Sequence, residues 1–281
     1  IVKELKALRD APELGPYTGP AILEAQATGV YFHEVLGHRL EGHRQDDDEE
    51  GQTFADYIGK PILPSFISVE DDPTLLRQGD IPLNGHYRYD DQGVPAQTAR
   101  LVTNGVLKGF LLGRRPVAGF DTSNGHGRAQ GIRSPVARMG NLIVTADKVV
   151  TKEALRQRLL AEAKANGRPY GLIIRDVSGG ATNTSSYGFQ AFKAEAHMVY
   201  RVDALTGAEE LVRGVDLVGT PLASLSKILA AGDGVGVFNG YCNAESGMIP
   251  VSTVAPAVLF SEVELQRSAR GRSRAPILPA P

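Results

Sequence analysis

Alternating apolar and polar positions dominate this chain, and helical spacing shows in only a few places. Short runs rich in β-branched residues and bounded by Gly, Asn or Pro mark strands at 141–146 (NLIVTA), 171–177 (GLIIRDV) and 195–202 (EAHMVYRV). Such runs fit a pleated, half-buried surface. The last is expected to pair with 208–213 across Leu205-Thr206-Gly207. Within 100–110, Asn104-Gly105 separates two apolar runs. Asn-Gly tolerates the positive φ that a two-residue hairpin turn needs. Residues 235–266 read as further strands.

Helical periodicity begins after Thr151, an N-cap for a stripe of Leu155, Leu159, Leu160 and Ala163 that stops near Gly167. Thr220-Pro221 opens a second helix, through Leu222, Leu225 and Leu229 to Gly232. A third is expected to start near Pro20 and run through Ile22, Leu23, Ala25, Val30, Phe32 and Leu36. The predicted class is α+β, with mostly antiparallel β-sheets, a few packed helices and one of those helices near the N-terminus. Residues 1–19, broken by Pro12, Gly15, Pro16 and Gly19, read as a lead-in segment or linker. Residues 20–266 read as one domain, and 267–281 (RSARGRSRAPILPAP) as a disordered tail. The acidic run Asp46 to Glu50 reads as a solvated loop.

Composition narrows the function classes. With 281 residues and 42% hydrophobic content, an ordinary core can be buried. A net charge of -2 supplies no basic excess for neutralising phosphates, which argues against a nucleic-acid partner. No apolar run approaches the roughly 20 residues of a membrane helix, so no membrane partner is expected. The single cysteine, Cys242, excludes an internal disulfide. That fits a reducing, cytoplasmic setting. Because residue 1 is Ile, an exported precursor with a removed leader stays open as the alternative.

The chemistry concentrates in one stretch, His33-Glu34-Val35-Leu36-Gly37-His38-Arg39-Leu40-Glu41-Gly42-His43, which holds three of the six histidines. The familiar zinc-protease helix carries H-E-x-x-H, with a glutamate base between its ligands. Here His33 and His38 are five apart. At about 100° per residue, positions four apart diverge by about 40°, but positions five apart diverge by about 140°. A single π turn would absorb the extra residue, and Gly37 is the residue type that tolerates a backbone departure. Surface or core histidines remain the plain alternative. His43 repeats the H-x-x-x-G-H spacing and could compete as a ligand. A zinc site needs a third protein ligand and an open position. Cys242 is the candidate, against its other reading as a small buried apolar residue.

The stretch HEVLGH with Leu40-Glu41-Gly42 resembles the TldD/PmbA metallopeptidases, whose active subunit carries H-E-x-x-x-H. Tyr89-Asp90-Asp91-Gln92-Gly93-Val94-Pro95-Ala96-Gln97 is similar to that family's D-D-E-G-x-P-A-Q segment. Asn104 to Gly109, Ser123-Asn124-Gly125-His126-Gly127-Arg128, Arg213-Gly214-Val215 and Gly240-Tyr241-Cys242 resemble further segments in the same order, across roughly 20–262. The resemblance implies a zinc-dependent peptidase acting on unfolded or short peptides. One ion would be held by His33, His38 and Cys242, with Glu34 as general base. It also implies a homodimer or a heterodimer with a homologous subunit, and a further N-terminal domain. His43 and His126 depart from the family pattern, with consequences for metal geometry and substrate choice respectively. The alternatives are a non-catalytic, chamber-forming partner subunit and a metal-binding module without turnover.

Other signals are weaker. Gly232-Asp233-Gly234-Val235-Gly236 lacks the βαβ setting of a dinucleotide loop. No G-x-S-x-G elbow marks a serine hydrolase, and nothing local marks a Cys242–His thiol protease. Arg128 is expected in a structural salt bridge more than on a substrate carboxylate.

Overall fold

One large sheet takes up the alternating segments. The computed structural model describes residues 2–187 and 189–268. Helix α1 (Val2–Asp10) is followed by strand β1 (Tyr17–Leu23) and helix α2 (Ala25–Phe32). Next come β2 (Ile67–Asp71), β3 (Ala99–Thr103), β4 (Asn141–Ala146) and helix α3 (Lys152–Ala165). The second half holds β5 (Tyr170–Thr182), β6 (Phe192–Asp203), β7 (Glu209–Val212), β8 (Val215–Gly219), the short helix α4 (Pro221–Leu225), β9 (Ile228–Ala244) and β10 (Gly247–Arg267). Shorter strands are named by residue. This is the α+β, mostly antiparallel architecture that the pattern predicts.

β10 organises the sheet. Near its start it pairs with β9, Cys242 opposite Ile249, and with β4. Towards its end it pairs with β1 and β8. β1 pairs with β5, β5 with β6 and β6 with β8, so β1, β5, β6, β8 and β10 close a ring of ladders. Where these ladders run together they leave no free edge, but β5 continues past Ile174, its last residue paired with β1. α2 packs on β5, β9 and β10. Its Val30, Tyr31 and Phe32, with Val35 and Leu36 beyond it, are buried in the main core. The segment that carries the histidines is thus an interior one, as a run apolar on every side should be.

Local chemistry explains the elements that match. Thr151 Oγ1 accepts the Ala154 N–H at 3.2 Å and caps α3. The α3 stripe lies buried against Ile22, Ile173 and Val202. Asn104 and Gly105 have φ of 49° and 78°, a two-residue turn between Thr103 and Val106. β6 pairs with β7, as the spacing across Leu205-Thr206-Gly207 requires.

Two expectations are corrected. Pro20 does not start a helix but lies in β1, and α2 begins at Ala25. The β1–β10 register shifts between Gly19 and Ala21, where Pro20 has no N–H to give the ladder. The second predicted helix is only α4. Leu229 and Gly232 belong to β9, whose pairing with β10 overrides the helical spacing. Within 1–19, Val2–Asp10 is helical and Tyr17–Gly19 is strand. At the other end β10 runs to Arg267, and the expected tail from 269 on lies outside the described residues. The acidic run is mainly exposed, except that Glu50 pairs with the buried Arg44. No helix among the described residues is long and apolar enough to cross a membrane.

Candidate metal centre

α2 does not stop at Phe32 but loosens into a π turn, His33–Gly37. The His38 N–H donates to the His33 carbonyl, five residues back. The expected extra residue is therefore absorbed between the two histidines. A tight turn, His38–Leu40, then redirects the chain. Gly37 has another role than the one its type suggested. Its φ of -53° and ψ of -54° are ordinary right-handed values, but a Cβ there would lie 2.1 Å from Met139 Sδ. The glycine permits close approach, not a special backbone angle.

The turn brings the predicted residues to one point. Ligand atoms of His33, His38 and Cys242 all lie within 4.8 Å of one another. Cys242 Sγ is 3.2 Å from His38 Nε2. Two donors on one tetrahedral zinc sit about 3.5 Å apart, given bonds of about 2.0 Å to nitrogen and about 2.3 Å to sulfur. The two imidazoles meet edge to face with centroids 5.0 Å apart. His33 Nδ1 is buried with no hydrogen-bond partner. Two imidazoles, one of them with an unpaired ring nitrogen, and one thiol form a donor set that fits zinc.

Electrostatics favour the metal-binding thiolate of Cys242 but hold a proton on His38, which zinc would have to displace. Burial opposes a Cys242 thiolate, but His38 and His33 outweigh it and bring the thiol down to about 5. Burial likewise opposes a charged His38, but Glu41 and Cys242 hold it up, to about 10. Glu41 Oε2 faces His38 Nδ1 at 3.3 Å. A carboxylate on the far nitrogen of a ligating histidine fixes its tautomer and its ring orientation. Glu41 is fully buried, and its carboxyl lies below the usual range; burial opposes this, but His38 and Arg44 prevail.

Glu34 points from the π turn towards β5. Its burial raises its pKa, against His33 and His38. A Cβ on Gly180 of β5 would lie 2.5 Å from Glu34 Cγ, so that glycine makes room for the carboxylate. The backbone behind Glu34 is anchored by the buried Arg39, whose Nη1 donates to the Glu34 carbonyl at 2.9 Å and to Thr182 Oγ1 at 2.7 Å. A cleft of about 530 Å³ opens here, lined by the motif, by 178–182 of β5 and by 238–244 of β9. Each of those strand segments has one ladder partner, β6 and β10 respectively, and no strand pairs with its other edge among the described residues.

A family model described as the PmbA/TldA metallopeptidase C-terminal domain matches residues 16–267. The chain belongs to this family. Among its relatives, a metalloprotease of Methanocaldococcus jannaschii is 28% identical over 82% of this chain and 47% of its own length. A zinc metalloprotease TldD homolog of Saccharolobus solfataricus is 24% identical over 94% of this chain and 54% of its own. The chain thus spans about half the length of the curated relatives it matches. The fold is shared with TldE of Thermococcus kodakarensis, at a TM-score of 0.68 and 16% identity over 94% of this chain and 54% of that one. A putative modulator of a DNA gyrase from Thermotoga maritima gives 0.67 and 21%, over 94% and 53%.

The two residues read from the sequence as departures, His43 and His126, lie outside the cluster of His33, His38 and Cys242. His43 turns to Glu245, Nε2 to Oε1 at 2.5 Å. It forms a second cluster with Glu41 and Glu245, but Arg44 occupies both carboxylates, which disfavours a cation there. His126 is fully buried, held by Asp71 at 3.1 Å and by Asn124, away from the cleft. Arg128 does not make the expected salt bridge among the described residues. It donates to the carbonyls of Met139 and Pro250 and lies on the Tyr87 ring. Sequence reasoning missed Arg138, Arg44 and Gly180. No spacing marks Arg138 or Gly180, which act across the sheet, whereas Arg44 pairs with Glu41 three residues before it and with Glu245 across the sheet.

Proposed function

We propose that this chain carries the catalytic half of a zinc-dependent peptidase that cleaves unfolded or short peptides. The observation behind the reading is the convergence of His33, His38 and Cys242, with Glu34 beside them in an open cleft. Those three residues would hold one zinc ion, leaving the open position of a catalytic site. Zinc bound there supplies Lewis-acid activation of water and of the scissile carbonyl. Glu34 takes the proton of the attacking water and delivers it to the leaving amine. Its burial supports that role, because a raised pKa keeps a carboxylate basic enough to accept a proton and acidic enough to return it. Arg39 anchors the Glu34 backbone, and Gly180 leaves room for its carboxylate.

The free edges of 178–182 and 238–244 suit an extended peptide, held through its backbone with little regard for its side chains. A homologous subunit, identical or not, would close the cleft from outside and limit entry to chains without a fold. Measuring the metal in the purified chain tests the reading, beside hydrolysis of an unfolded peptide before chelation, after it, and after zinc is returned. Loss on chelation and recovery with zinc are expected. Bound zinc without hydrolysis would leave a metal-binding module. Activity that survives chelation but not thiol alkylation would move the chemistry to the Cys242–His38 pair, whose 3.2 Å contact also suits a nucleophile and its base.

A further inference from the structure

Arg138 has no part in the chemistry above, yet it is among the largest fully buried side chains of the protein. Its Nη2 donates to Cys242 Sγ at 3.1 Å and to the Cys242 carbonyl at 3.0 Å. Its Nη1 donates to Ser246 Oγ at 2.9 Å and to the Gly247 carbonyl at 3.2 Å. On its third side Nε lies 3.2 Å from Glu41 Oε1. That contact is an ion pair, not a hydrogen bond, since neither atom has a hydrogen-bond partner. The other oxygen of Glu41 faces His38. One guanidinium therefore touches the sulfur directly and reaches an imidazole through one carboxylate.

We propose that Arg138 is the positioning residue of the metal centre, fixing Cys242 Sγ by a charge-assisted hydrogen bond and the His38 ring by way of Glu41. The inference rests on the zinc reading above. A buried guanidinium is expensive to desolvate, and neutral donors would serve the two carbonyls. What only a permanent cation supplies here is a donor for a thiolate and a counter-charge for Glu41. The planar fork meets both at fixed angles, which an ammonium on a flexible stem does not. The location is also built in. Met139, the next residue, presses on the π turn where Gly37 has no Cβ, so the turn that aligns the histidines also seats Arg138.

Replacing zinc with cobalt(II) in the full chain gives a test independent of turnover, because a thiolate ligand produces a charge-transfer band. Arg138→Gln keeps a neutral donor and loses the charge. It should move the band to longer wavelength, since the sulfur becomes more electron-rich, and weaken zinc binding by about 10–100-fold, the range for outer-shell partners. Arg138→Lys should return the band part of the way. Ser246→Ala loosens one anchor of the same guanidinium and should shift the band in the same direction by less, which preserves a readout if Arg138→Gln does not fold. A purely structural arginine would lower the melting temperature and leave the band in place. Wild-type band position and zinc affinity in every variant that folds would overturn the proposal. A wild-type chain that takes up neither cobalt nor zinc would overturn the zinc reading itself, and the missing wild-type band tells the two failures apart.

Discussion

Adding one methyl group at Gly180 should disable the proposed base without disturbing the proposed ligands. A Cβ at this position would lie 2.5 Å from Glu34 Cγ and 2.9 Å from Cδ and Oε1. Gly180 is not among the positive-φ residues, so alanine brings no backbone strain. The Glu34 side chain has to yield instead, and about 1 Å of withdrawal restores ordinary carbon contact. A displacement of that size at a reacting group costs on the order of 10²-fold in rate, or about 2.7 kcal/mol of barrier. The three atoms nearest the new methyl group all belong to Glu34, so zinc content should be unchanged. The assay is kcat/KM on an unfolded peptide, with zinc per chain measured on the same sample. The adjacent Gly179 supplies the comparison. Its Cβ would meet nothing within 4 Å, so Gly179→Ala should lose far less. Wild-type turnover in Gly180→Ala would refute the placement of Glu34, and loss of zinc would show that the carboxylate belongs to the ligand set.

Three further outcomes are expected. Glu34→Ala should keep its zinc and lose about 10²-fold or more of peptide hydrolysis; equal loss of zinc in Glu34→Ala and His38→Ala would make Glu34 a ligand or a prop. His38→Ala and Cys242→Ala should each purify without stoichiometric zinc, because three protein ligands are the minimum for such a site. Gly37→Ala places a Cβ 2.1 Å from Met139 Sδ and should destabilise the chain by about 1–3 kcal/mol in urea unfolding, with partial recovery in the double variant that also carries Met139→Ala.

Local signals in the sequence were legible where a short stretch decides its own conformation. Thr151 and its leucine stripe define α3, and Asn104-Gly105 defines a turn, because capping and positive φ are properties of a few adjacent residues. The five-residue histidine spacing was informative for the same reason, since only a π turn in a helix brings such residues together. Pro20 and Leu229 misled because helical spacing competed with a ladder to β10, a partner that lies far along the chain. The same limit applies inside the site. Glu34 and His38 are marked by their neighbours in sequence. Gly180, Arg138 and Glu245 are ordinary residues until the sheet brings β5, 136–139 and the β9–β10 hairpin around the π turn. Their function resides in what they face, and facing is a property of register. Cys242 lies between the two cases. Its uniqueness made it a candidate, but its pairing opposite Ile249 on β10 is what turns the sulfur towards His38. A slip of one residue in that hairpin would move the thiol to the other face of the strand, leaving two histidines without a third ligand. The proposed metal centre therefore depends on hairpin register as much as on the motif.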